Sequence, residues 1–232
     1  MAADQYITLV SSLPALGPML GAKHAPINRV RLQQRLRMLT PEHHAELVSL
    51  AGLLAWSRLP LAGKDEALVS RARRIIPTLS SPTLAALARD RLEMRTVTAA
   101  LRRRQAGQEA PSSDDVWGYS RHLGRITANW NDPEFGLVRV YPWLPEARAA
   151  LEKRDSKGLE RVLLEAAWRN ASQHSVGHEF DYEAVAIYLI RWNLLDRWTR
   201  YDEQAAAARF ASLVEQALAT APEQFTETEA AA

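Results

Sequence analysis

Apolar positions recur along this chain with a helical period almost from end to end, and the helix starts are marked as clearly as the helix faces. Asn28 stands where it can cap a helix running to residue 39. Thr40-Pro41-Glu42 then places an N-cap, a proline at the first helical position and an acid in the first turn of a helix running to about residue 56. Residues 65–76 form another helix, stopped by Pro77. Ser81-Pro82 repeats the cap-plus-proline signature and opens a long helix over 82–105, which Gly107 closes. Beyond it, Val116, Tyr119, Leu123, Ile126 and Trp130 follow at helical spacing and predict an apolar helical stripe. Residues 133–145 are turn-rich. Helices follow over 145–154 and over 156–173, the second with Leu159, Val162, Leu163 and Ala166 inward, and the last and longest spans 181–218 before a mobile tail from 222. Residues 6–13 stand apart, because their β-branched side chains predict a short extended segment ended by Pro14 and Gly17. The expected fold is all-α, a multi-helix bundle with two long central helices and a short extended N-terminal segment.

The final helix carries two apolar seams. Val185, Tyr188, Leu189, Trp192 and Leu195 form one, and Ala184, Ile187, Leu194, Trp198 and Tyr201 the other, so it belongs at the centre of the bundle. Arg191 falls on the second seam, where an unpaired guanidinium costs several kcal/mol. Glu93, on the other long helix and flanked by Leu92 and Met94, is the expected partner. The Trp residues at positions 56, 117, 168, 192 and 198 lie at core spacings and read as packing units rather than as a ligand box.

Composition adds a division. The stretch 107–115, GQEAPSSDD, is built of loop-forming residues and also marks a change of charge. Residues 1–110 carry 16 Lys/Arg against 8 Asp/Glu, and residues 111–232 carry 13 against 19. This predicts a basic helical lobe over 1–106, a linker over 107–115, an acidic helical lobe over 116–221 packed on the first, and the tail 222–232. The basic half could meet an acidic partner, a phosphate backbone or the chain's own acidic half. The absence of cysteine fits a reducing compartment and removes disulfides, thiolate catalysis and Cys-ligated zinc. The N-terminus has no basic residue ahead of its apolar stretch, so the expected location is cytoplasmic. The longest apolar run, 184–190, is far below the roughly 18 residues of a membrane span.

The candidate chemistry is thin. Arg102, Arg103 and Arg104, with Arg91 and Arg95 before them, could contact phosphates. Yet three adjacent helical residues point about 100° apart, no aromatic is interleaved for base stacking, and their last-turn position suits the negative end of the helix dipole. They read as a helix terminus facing solvent or a protein partner. His174 and His178 stand four apart, followed by Glu179 and Asp181, which suggests zinc, but Gly177 breaks the helix that the spacing needs. His43 and His44 point to different faces of their helix and read as surface or capping residues. Neither GxxxxGK[ST] nor GxGxxG nor GxSxG occurs, and Gly118 stands where the aspartate-rich pattern begun by Asp114-Asp115 needs an acid. No catalytic, cofactor-binding or metal residue is assigned, and no enzyme is expected.

Three stretches resemble a small bacterial family whose genes sit in V-type ATPase operons: YITLVSSLPAL at 6–16, PINRVRLQQRLRML at 26–39 and FDYEAVAIYLIRWNLLDRW at 180–198. That family is distantly similar to the C/d-type central-stalk component of those rotary enzymes. Glu93, Arg95, Leu101, Arg102 and Gly107 resemble the helix ending repeated in that component. It has three similar helical lobes, of which this chain has length for about two. The resemblance implies a non-enzymatic helical spacer or accessory factor without cofactor. Its partners would be the shaft and the membrane ring, and it would be held at the inner membrane only through the complex. The residues expected to carry structure and interaction are Glu93, Arg95, Arg102, Arg103, Arg104, Arg191, Trp192 and Trp198. An unrelated helical adaptor or regulatory protein, or a nucleic-acid binder, is the alternative.

Overall fold

A computed structural model describes residues 5–55, 65–112 and 115–200. Among these the protein is a helical bundle without a strand. We name the helices α1 (Ile7–Ser12), α2 (Arg29–Leu36), α3 (Pro41–Leu54), α4 (Asp65–Ile75), α5 (Pro82–Gln105), α6 (Leu123–Ala128), α7 (Leu144–Glu152), α8 (Ser156–His174) and α9 (182–200). The caps legible in the sequence are made. Asn28 accepts from the Arg31 N–H at 2.9 Å, Thr40 from His43 at 3.3 Å and Ser81 from Leu84 at 3.3 Å, each satisfying a donor that the first turn leaves open. At the other end of α5 the Gly107 N–H reaches the Arg104 carbonyl at 2.9 Å and the Gln108 N–H reaches Arg103 at 3.0 Å, with Gly107 at φ +72°. This is a Schellman closure, and glycine enters its left-handed position without Cβ strain.

α5 is the spine of the molecule. Leu84, Leu87 and Leu92 enter one apolar cluster with residues of α1 to α4 and with Val185, Ile187 and Trp192 of α9. Val97 and Leu101 enter a second with Trp117, Ile126, Phe135 and Leu144, and Met94 enters a third with Met19, Leu164, Leu195 and Trp198. The clusters therefore draw on both halves of the chain. Of the two seams read for the last helix, Val185, Ile187, Trp192, Leu194, Leu195 and Trp198 are buried, and Ala184, Tyr188 and Leu189 are half-buried. The tail, the far end of that helix and Trp56 lie outside the described residues.

Two expectations fail. Residues 6–13 are not extended: 7–12 is α-helical. The turn buries Tyr6 and Leu9 in the first cluster, with Val10 and Leu13 packed beside them, and the Tyr6 N–H is tied to the Phe180 carbonyl at 2.8 Å. That burial outweighs the few tenths of a kcal/mol that β-branched residues cost a helix. The stripe from Val116 to Trp130 is helical only over Leu123–Ala128, and Val116 is exposed. Residues 115–120 run as irregular chain against α5, so close that a Cβ on Gly118 would fall 2.3 Å from the Thr96 methyl. The Thr96 hydroxyl accepts the Tyr119 N–H at 3.0 Å, meeting a backbone donor that a helix would have satisfied internally.

Candidate interaction site

Asp90 and Glu93 sit three residues apart on α5, which brings both carboxylates to one face. Glu93 is only 4% exposed. Its partner is not Arg191 but Arg121, whose backbone N–H and Nε reach the carboxylate at 3.2 Å each, while the Tyr141 hydroxyl donates at 2.9 Å. Arg121 wins because the irregular segment after Gly118 presents main chain and side chain to the same acid, and three donors to one carboxylate offset its desolvation. The guanidinium itself remains largely in water, which spares the protein the cost of burying both charges. Burial, and then the facing Glu93 charge, hold the Tyr141 phenol far above its ordinary range. Asp90 completes the joint, accepting from Asn170 at 2.9 Å and meeting His174 at 3.0 Å and Arg121 at 3.4 Å. One acidic face of α5 is thereby fastened to α8, to the segment before α6 and to the turn before α7. Of these residues the sequence singles out Glu93, and His174 only as a metal candidate. The others lie 28 to 84 positions away from their partners, and no local spacing announces such pairs.

Beside the joint lies an open cleft of about 380 Å³, lined among others by Arg73, Arg89, Arg121 and Leu123. Arg73 and Arg89 are exposed and make no ion pair among the described residues.

The end of α5 is less free than its sequence suggests. Arg104 donates to the Asp132 carbonyl and, at 2.7 Å, to the Pro133 carbonyl, with its guanidinium 4.9 Å from the Phe135 ring centre. Arg103 lies 5.6 Å from the Trp117 ring, leaving Arg102 as the exposed member of the three. The turn that Arg104 grips is itself bound by Asp132, whose carboxylate accepts from Glu134 and Gly136. Those N–H groups, Gly136 foremost, hold its carboxyl below the ordinary value.

The remaining expected residues are separate from the joint. Arg191 stacks on Trp168 with its guanidinium 4.3 Å from the ring centre, and its Nε is buried without a hydrogen bond. Burial lowers its pKa, and the ring face supplies an attraction that no carboxylate among the described residues does. The most buried arginine of α5 is Arg91, whose pKa burial and the nearby Arg197 lower to about 9. Arg95 is half-buried in the helix body. Trp192 donates to the Ile27 carbonyl at 2.8 Å beneath the Arg29 guanidinium, and Trp198 fills the third cluster, so both serve packing. His174 and His178 diverge, one to Asp90 and the other to Asp181. His43 is no surface residue either: its ring stacks on Tyr182 at 4.0 Å and meets the Tyr6 hydroxyl at 2.6 Å. No protein-family model, curated protein or solved structure matches the chain.

Proposed function

We propose that this protein is a non-enzymatic helical spacer and coupler, a subunit or accessory factor of a bacterial V-type ATPase that works through protein contacts between the shaft and the membrane ring. The reading begins in the sequence resemblance, and α5 is the observation that supports it. A single helix of 24 residues, about 36 Å long, contributes side chains to all three apolar clusters. A coupling element has to pass force without internal slip. One rod shared by every part of the core, fastened sideways through Glu93 and at its end through Arg104, answers that need. Its chemistry fits as well, because the lone pairs of the Glu93 carboxylate are committed to donors already in place and leave it an anchor.

The arginines weigh against a polyanion. Arg104 and Arg103 are engaged within the chain, so the run at 102–104 offers no continuous phosphate-binding stripe. Among the described residues no helix is long and apolar enough to cross a membrane, and attachment there would go through partners.

Copurification tests the reading. The tagged full-length chain, expressed beside a V-type ATPase of its own host, should bring down the catalytic and stalk subunits. Recovery of neither by a folded protein overturns the assignment.

A further inference from the structure

We propose that His178, Asp181 and Glu183 form a binding site for a zinc-class divalent metal ion at the start of α9. The site stands on geometry independent of the coupling role. Gly177, at φ +85°, turns the chain out of α8 and sets His178 beside the first turn of α9. Asp181 caps that turn, its Oδ1 accepting the Ala184 N–H at 2.9 Å. Its Oδ2 is thereby left to face His178 Nδ1 at 2.6 Å. Nε2, the other ring nitrogen, lies 3.2 Å from the Thr83 hydroxyl at the start of α5. Such an outer hydrogen bond orients most metal-bound histidines and leaves the opposite nitrogen to the ion.

Glu183 turns this capping arrangement into a site. It is 4% exposed, and among the described residues its carboxylate makes no hydrogen bond and no ion pair. One of its oxygens, one of Asp181 and a His178 ring nitrogen all lie within 4.8 Å of one another. Capping accounts for Asp181, and a first-turn acid is favoured by the helix dipole. Neither effect accounts for Glu183, whose side chain is almost wholly withdrawn from solvent and meets no cation among the described residues. A dication does so, because two carboxylates balance its charge and the imidazole supplies the borderline-soft donor that distinguishes zinc from calcium or magnesium sites. Donors bound to a tetrahedral zinc at about 2.0–2.1 Å lie about 3.3 Å apart. Entry of the ion would therefore spread the His178 and Asp181 contact by less than 1 Å, take the place of the proton between them and release it to solvent. The partly exposed His178 and Asp181 leave a path in and an open position for water.

Isothermal titration of the metal-free full-length protein with Zn²⁺ alone tests the site. One equivalent should bind, and D181N and E183Q should each weaken it about tenfold or more. Asparagine keeps the helix cap, so D181N decides the matter even where E183Q does not fold by far-UV circular dichroism. H174Q should bind as the wild type does, since His174 belongs to the Asp90 joint. No stoichiometric binding to the folded wild type, or unchanged affinity in D181N, overturns the proposal, and in either case the copurification result stands on its own.

Discussion

Glu93 illustrates how a buried charge is tolerated: the acid is inside, its cation is mostly outside, and the donors converge from both main chain and side chains. Glu93→Gln offers those donors one amide oxygen and sets an amide NH₂ against the rest. We expect a loss of about 2–3 kcal/mol in urea unfolding. Tyr141→Phe removes a single bond to a charged group and should cost about 1.5–2 kcal/mol. Arg121→Ala should cost less than Glu93→Gln, because what it exposes was largely in water already. The same joint has a signature in alkali. The Tyr141 phenol is held protonated well above its ordinary value of 10.0, and burial pushes Tyr188 up to about 12. A proton kept by the folded state and released by the unfolded one contributes stability that is full below about pH 10. That contribution is lost as pH climbs through the folded values. Phenolate absorbance of the native protein should therefore lag that of the urea-unfolded chain, and Tyr141→Phe should flatten the alkaline fall in stability. Coincident phenolate titrations in the native and unfolded chains would refute the account.

The two glycines that bracket the end of α5 and the segment returning to it do different physical work. Gly107 has open space around its α-carbon and a positive φ, so Gly107→Ala should cost only the backbone term, about 1 kcal/mol. Gly118 meets Thr96 at a distance no Cβ can share, and Gly118→Ala should cost about 2 kcal/mol or more by lifting residues 115–120 off the helix. Thr96→Ser removes the offending methyl, so the double variant should recover part of that loss. Additive melting-point changes would show that the contact does not exist. Gly118 also explains why residues 116–122 do not follow their helical spacing. Close approach to α5 lets Thr96 take over a backbone donor, and Tyr119 and Val116 keep their apolar spacing without a helix beneath it.

Because α5 is common to all three clusters, separating them means breaking the same helix. The chain should unfold in one transition, with tryptophan fluorescence and far-UV circular dichroism giving the same urea midpoint. Two midpoints would mean that the halves on either side of residues 107–115 fold as separate lobes. The charge asymmetry resolves differently from simple self-neutralisation. Arg29 reaches Asp196 across the halves, but Arg121 pairs in the opposite sense with Asp90 and Glu93. Arg31, Arg37, Arg73, Arg74 and Arg89 stay exposed and make no ion pair among the described residues. Unpaired positive charge therefore stays in water on this half of the chain. Under the proposed coupling role, retention of ATPase subunits on the tagged protein should weaken with rising salt and in an R73E/R89E variant.

Helix content, the caps at Asn28, Thr40 and Ser81, the glycine closure at 107 and the central place of α9 were all legible in the chain. Each rests on interactions within a few residues, or on a periodicity that one helix must bury. The partner of Glu93, the ring beneath Arg191 and the helical state of residues 7–12 were not. Tyr141, Trp168 and Phe180 stand far along the chain from the groups they serve, and a side chain's preferred neighbour is set by which surfaces packing brings together. Local propensity differs by tenths of a kcal/mol, whereas burying one large apolar or charged group is a matter of several, so the tertiary contacts had the deciding weight there.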